Sequence, residues 1–241
     1  MKINVLTLFP EMFESFMASS ILKRAIDNGY VEINLYNFRD YSLAKNKSVD
    51  DTSYGGGPGM VLQVEPIHRC LSDIEHTGEI IAFTPTGKIL DDKLINKLAC
   101  YNEITLVCGH YEGFDERVYN YVDQEISIGD FILTGGETAS FVFIDALIRK
   151  VPGVINKQSL ASESFANGIL DYPVYAKPIC YDNHFVPDIL LSGNHNEIQK
   201  YRYEMALKKT YERRKDLIKK YHSSIDLNIL KKIIKRNRDN L

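Results

Sequence analysis

The sequence predicts an α/β fold: a mostly parallel sheet with helices on both faces, followed by a small all-α domain. Three observations predict it. Short β-rich runs alternate with helix-periodic segments, as sheet-and-helix layers require. Glycine-rich loops follow several of the runs. Past residue 178 the texture becomes helical and basic. The chain has 241 residues, 44% hydrophobic and 25% charged, an ordinary globular balance. It is long enough to bury a core without disulfide staples.

The elements follow in order. Lys2–Leu8 alternates apolar and polar residues and reads as a strand. Glu11–Asn28 carries Phe13, Phe16, Met17, Ile21 and Ala25 at helical spacing and stops at Gly29. Val31–Tyr36 alternates again. Pro66–Ile74 places Ile67, Leu71 and Ile74 on one helical face. Glu79–Phe83 is a short apolar strand, and Leu90–Leu98 a short helix. Glu103–Cys108 and Glu125–Ile128 are two more strands. Glu137–Arg149 is apolar nearly all round, the mark of a buried helix. Val151–Pro178 is rich in Pro, Gly, Ser and Asn and reads as a linker or long loop. Asn194 and Glu197 then have capping-box spacing. They open a basic helix with Ile198, Tyr201 and Met205 on its inner stripe. The expected domains are 1–157, a linker at 158–178, and a helical unit at 179–241.

Charge separates the two ends. The formal net charge is −3, yet residues 196–241 hold 14 Lys+Arg against 6 Asp+Glu, leaving 15 against 26 elsewhere. A basic tail on an acidic body fits contact with a phosphate backbone or a solvated helical surface. The four cysteines, Cys70, Cys100, Cys108 and Cys180, form no CxxC pair and no zinc spacing. They read as buried, reduced thiols of a cytoplasmic protein. The first residues lack the apolar core of a signal peptide, and no run is suited to span a membrane.

Four glycine-rich loops are candidates for chemistry. Tyr54-Gly-Gly-Gly-Pro-Gly-Met60 follows the acidic pair Asp50-Asp51. Thr84-Pro-Thr-Gly87 follows the strand expected to end at Phe83. Gly109-His-Tyr-Glu-Gly-Phe-Asp-Glu-Arg117 and Ile128-Gly-Asp-Phe-Ile-Leu-Thr-Gly-Gly-Glu137 follow the next two strands. Ligands of open parallel sheets bind beyond the strands' carboxyl ends, and glycine lets a backbone approach a ligand closely. Neither a P-loop nor a dinucleotide GxGxxG is present, and no serine nucleophile elbow.

VDDTSYGGGPGM, GHYEGFDERV and SIGDFILTGGE, in this order and spacing, resemble the bacterial tRNA (guanine-37-N1)-methyltransferases of the SPOUT class. PVYAKP, VPDILLSGNHNEI and RRKDL match as well, so the resemblance runs from LTLFPEMF to about Leu217. It implies a deep trefoil knot in the C-terminal half of the α/β domain, a feature rare enough that periodicity would not suggest it. It also implies a homodimer with the active site between subunits, and tRNA as partner.

By this resemblance Phe83, Thr84 and Pro85 form one wall of an S-adenosylmethionine site. Gly109, Tyr111, Glu112 and Gly113 form the second, and Ile128, Gly129, Phe131, Leu133, Gly135 and Gly136 the third. Phe131 stands where the family usually has tyrosine, which keeps ring packing and loses a hydroxyl. Methylating guanine N1 needs a base for its proton and a cation for the charge that builds on O6. Arg149 matches the family's arginine. Glu163, in Ser162-Glu-Ser-Phe165, stands where the family usually has the aspartate base, with Asp171 the next carboxylate downstream. Asp50 matches a tRNA-facing acid. Lys208, Lys209, Arg213 and Arg214 are the expected grip on tRNA phosphates. Magnesium assists catalysis in the family, and no ligand spacing here identifies its residues. The competing readings are a SPOUT enzyme acting on ribose or ribosomal RNA, and a non-catalytic RNA-binding protein with the same fold.

Overall fold

A computed structural model describes residues 1–239; the last two residues of the expected helical unit lie outside the described residues. The chain divides into two compact units, Met1–Ile155 and Asn156–Leu241. The first contains β1 (Lys2–Thr7), α1 (Met12–Met17), α2 (Ser20–Asp27), β2 (Glu32–Asn37), β3 (Asp50–Asp51), β4 (Val61–Leu62) and α3 (Val64–Asp73). It continues with β5 (Glu79–Ile89), α4 (Asp92–Leu98), β6 (Glu103–Val107), β7 (Gln124–Ser127) and α5 (Gly136–Ile148).

The main sheet has the order β2-β1-β6-β5-β7, and every adjacent pair is parallel. Both faces are covered, as the sequence rhythm predicts. Ile3, Val5, Ile81, Ile104, Leu106 and Ile126 point into one core with Leu22, Leu98, Phe143 and Ile144 of the helices. Leu6, Ile80, Ala82 and Val107 alternate to the other face, against Ile67, Cys70 and Leu71 of α3. The period-two side-chain alternation of a strand produces this division.

Several elements differ from the sequence reading. The expected helix at 11–28 is two helices: Ala18 caps α1, Ser19 precedes α2, and Ser20 is left-handed with φ 50°. The strand expected to end at Phe83 runs to Ile89. Phe83 and Lys88 both pair with Ile126, so residues 84–87 bulge out of a strand that then resumes. Thr84 Oγ1 and Thr86 Oγ1 both hydrogen-bond Glu125 Oε2, at 3.0 and 2.8 Å, and hold the bulge. The pair β3–β4 closes the Gly55–Gly59 loop by two residues of antiparallel pairing, too short for periodicity to register. Cys70 and Cys108 are buried, but Cys100 and Cys180 are exposed; all four are free thiols.

The second unit contains α6 (Lys157–Ala161), β8 (Cys180–Tyr181), β9 (His184–Phe185), α7 (Asp188–Leu191), α8 (His195–Arg213), α9 (Lys215–Lys220) and α10 (Leu227–Asp239). Asn194 caps α8, its Oδ1 accepting from the Glu197 amide at 3.3 Å. The buried stripe of α8 is Ile198, Ala206, Leu207 and Thr210, so Tyr201 and Met205 lie at its margin. Leu207, Ile169, Ile225, Leu230 and Ile233 form the unit's core.

Much of 158–178 is laced onto α8. The Leu170 amide donates to Thr210 Oγ1 at 2.9 Å, and Lys209 Nζ meets Asp171 Oδ1 at 2.7 Å. That hydrogen bond holds the Asp171 carboxyl below its ordinary 3.8. A carboxyl depressed in the folded state stabilises it above the ordinary range, and the contribution is lost as pH falls through the lowered value. Both side chains are partly exposed, which limits the pair to below about 1 kcal/mol. Asp171→Asn is therefore expected to lower the melting temperature slightly at neutral pH and to show a shallower loss of it between about pH 5 and 2. Thermal unfolding across that range checks this.

Candidate functional site

Strands β6, β5 and β7 are neighbours in the sheet, so their carboxyl ends lie side by side, about 5 Å from one strand to the next. The three glycine-rich segments at those ends therefore meet. They enclose a cavity of about 560 Å³ in the first unit, within the range of small-molecule sites. All thirteen residues expected to hold the cofactor line it: Phe83, Thr84 and Pro85; Gly109, Tyr111, Glu112 and Gly113; Ile128, Gly129, Phe131, Leu133, Gly135 and Gly136.

The walls are stitched together by backbone. The Gly136 amide donates to Gly109 O at 2.7 Å, and His110 bridges to Gly135 as an isolated antiparallel pair. A Cβ on Gly136 would stand 2.8 Å from both Cys108 Cα and Gly109 N, so only glycine fits between the second wall and α5. The second wall is tied outward as well. Glu112 N donates to Met60 O at 3.0 Å, and Leu62 N to Gly113 O at 2.9 Å. Tyr111 is held left-handed at φ 58°, a conformation costing a non-glycine residue about 1–3 kcal/mol and concentrated at ligand sites. In the third wall Ser127 Oγ accepts from the Gly129 amide at 3.2 Å. Phe83 meets Phe143 of α5 edge-on, centroids 5.7 Å apart, which joins the first wall to the core.

Two residues of the motifs to which the sequence reading gave no role are also here. His110 lines the cavity, and its Nδ1 is buried without a hydrogen-bond partner. Glu137 is buried beneath Gly135, its Oε1 accepting from Thr7 Oγ1 at 2.8 Å. Their motif positions could have flagged them, but not their contacts. Glu112 and Glu116 put carboxylates on the lining, which suits a cationic ligand.

The remaining expected residues do not line this cavity. Arg149 caps the C-terminus of α5, about 20 Å along the helix from Gly136 at 1.5 Å per residue, where the helix dipole favours a cation. Asp50 pairs with Leu62 in β3–β4. Glu163 and Asp171 belong to the second unit and line its own cavity of about 220 Å³. On α8 and after it, Lys208 faces Glu212 at 4.0 Å, Lys209 is paired with Asp171, and Arg214 meets Asp216 at 2.7 Å. The exposed Lys208 and Arg214 pairs are worth little and exchange readily for a phosphate, whereas the Lys209–Asp171 pair is more sheltered. Among the described residues no three His, Cys, Asp or Glu side chains gather as a metal site. Among those residues, too, no helix is long and apolar enough to cross a membrane.

This is a parallel α/β unit with a glycine-walled cavity at the tips of three adjacent strands, the place where open parallel sheets bind their ligands. Residues 1–220 match the family described as tRNA (Guanine-1)-methyltransferase TrmD. The chain is 51% identical over 221 residues to a tRNA (guanine-N(1)-)-methyltransferase of Metamycoplasma arthritidis, covering 91% of this chain and 96% of that protein. Proteins of the same name from Mycoplasmopsis synoviae and Fusobacterium nucleatum are 50% and 48% identical, over 91% and 90% of this chain and 98% and 91% of theirs. The chain belongs to the tRNA (Guanine-1)-methyltransferase TrmD family.

Gly136→Ala is expected to lower affinity for S-adenosylmethionine by about tenfold or more and to destabilise the first unit by about 1–3 kcal/mol, because backbone atoms must shift to admit the methyl. Calorimetric titration and thermal unfolding of the variant measure the two effects.

Proposed function

We propose that this chain transfers a methyl group from S-adenosylmethionine to N1 of guanine 37 in tRNA, beside the anticodon. The observation that carries the reading is the convergence of three glycine-rich walls on one cavity in a member of this family. Two observations support a donor site here: Gly135 and Gly136 pack the backbone walls together too closely for a side chain, and His110 Nδ1 on the lining is buried without a hydrogen-bond partner. When bound, S-adenosylmethionine supplies an electrophilic methyl on a sulfonium. Glu112 and Glu116 oppose that positive charge. Backbone amides and carbonyls at the glycine turns would read the adenine edge, and Phe131, on the same lining, would offer a ring without a tyrosine's hydroxyl.

Guanine N1 carries a proton and is a poor nucleophile, so a carboxylate must take that proton as the methyl arrives. Glu163 is proposed as the base. Asp171 is less suited, since its ion pair with Lys209 lowers its basicity. Arg149 is proposed to support the charge developing on O6, in a homodimer whose active site lies between subunits. Val142 of α5, 49% exposed, and Ile132 of the loop before it, 82% exposed, are apolar side chains that such an association would cover. Within the same reading the α/β domain carries a deep trefoil knot and binds the methyl donor, and residues 158–178 serve as the linker. Residues 179–241 bind tRNA through Lys208, Lys209, Arg213 and Arg214, with Asp50 facing the tRNA from the first unit. The protein works in the cytoplasm.

Tritium transfer from labelled S-adenosylmethionine is expected with a tRNA carrying G at position 37 and absent with A37; equal labelling of both would overturn the reading. Glu163→Gln should keep cofactor affinity and lose turnover by about 10²-fold or more, whereas near-normal turnover removes Glu163 from the role. Replacing Lys208 and Arg213 by alanine should weaken tRNA binding and make its salt dependence shallower, by about one unit of slope for each phosphate no longer neutralised. Unchanged affinity would assign these residues to a solvated face.

A further inference from the structure

We propose that the cavity of the second unit is a guanine pocket in which Arg202 reads the O6/N7 edge of the methyl-accepting base. The proposal deepens the tRNA methylation reading and rests on it. The cavity, about 220 Å³, is lined by Glu163, Asp171, Tyr172, Arg202 and Tyr203 among others. The guanidinium of Arg202 stands 4.8 Å over the Tyr172 ring, a cation–π contact that restrains the side chain. Its Nε is buried and has no hydrogen-bond partner, a costly state for a charged donor. Asp171, on the same lining, is engaged by Lys209 at 2.7 Å.

Charge and shape select the ligand. Two carboxylates on the lining oppose a phosphate, while a neutral heterocycle with an acceptor edge suits the arginine. Guanine presents O6 and N7 side by side, the pattern that an arginine fork matches with two hydrogen bonds. Adenine presents an amino group at the same place, which faces the donors unfavourably. O6 adjoins N1, so Arg202 donating to O6 adds to the support proposed for Arg149 as the N1 proton leaves for Glu163, a residue of the same cavity. Arg202 thereby favours guanine over adenine and assists the deprotonated form.

The test uses the full chain with S-adenosylmethionine and two tRNA transcripts, one with guanine 37 and one with 7-deazaguanine 37, whose N7 is replaced by C–H. The parent enzyme is expected to lose about tenfold or more in kcat/KM on the deaza transcript. Arg202→Gln is expected to lose a similar factor on the guanine transcript and to show no further loss on the deaza one. Arg202→Lys keeps a cation over Tyr172 but not the fork, and gives the same readout should the glutamine variant fail to fold; unchanged S-adenosylmethionine affinity certifies either. A parent enzyme indifferent to the deaza change, or an equal deaza penalty in parent and variants, overturns the guanine pocket. A parent enzyme that binds S-adenosylmethionine and methylates neither transcript overturns the methylation reading itself and the pocket with it.

Discussion

The Gly136 amide donates to the carbonyl of Gly109 at 2.7 Å, and this contact sets how the third wall of the cavity meets the second. It forms because β5 lies between β6 and the edge strand β7, so the chain leaving β7 comes back past β5 to the segment that follows β6 before α5 begins. No side chain fits at the crossing. The start of α5, the bridge from His110 to Gly135 and the burial of Glu137 under the loops all follow from that close approach. A cavity walled by backbone in this way is pre-organised, because its polar groups are fixed by the fold rather than by side-chain rotamers.

The chemistry is distributed differently. The walls of the larger cavity are mostly glycine, aromatic and aliphatic residues, with carboxylates as the charged groups at Glu112 and Glu116. The second unit instead gathers Glu163, Asp171 and Arg202 around a smaller space. The first set suits holding a cationic donor; the second suits moving a proton and reading a base edge. The two carboxylates of the smaller cavity are not equivalent. Asp171 is held in an ion pair that lowers its affinity for a proton.

Legibility varied with the range of the interaction. The strands β1, β2, β6 and β7 and the helices α3, α4 and α5 were readable to within about two residues, because each carries a local apolar period long enough to register. The break between α1 and α2 was not, since Ser20 adopts its left-handed turn within an otherwise helical pattern. The bulge at 84–87 was read as the end of a strand, because the pairing of Lys88 with Ile126 depends on a distant segment. In the tail, Asn194 and Glu197 announced the start of α8, but the buried stripe fell on Ala206, Leu207 and Thr210 rather than on the larger Tyr201 and Met205. Packing against Ile169 and Ile225 chose that face.

By itself the sequence determined the order of the longer strands and helices, the glycine-rich segments that follow them, and the motifs that mark the family. These depend on local backbone preferences and on side-chain periodicity, both written in consecutive residues. Only the tertiary structure decided that three of those segments share one cavity, that His110 and Glu137 stand beside it, that Asp171 is paired with Lys209, and that Arg202 lies over Tyr172. Each of those facts joins residues separated along the chain by many positions. Which distant partners meet is fixed by strand order and close packing, and neither can be read from a residue and its immediate neighbours.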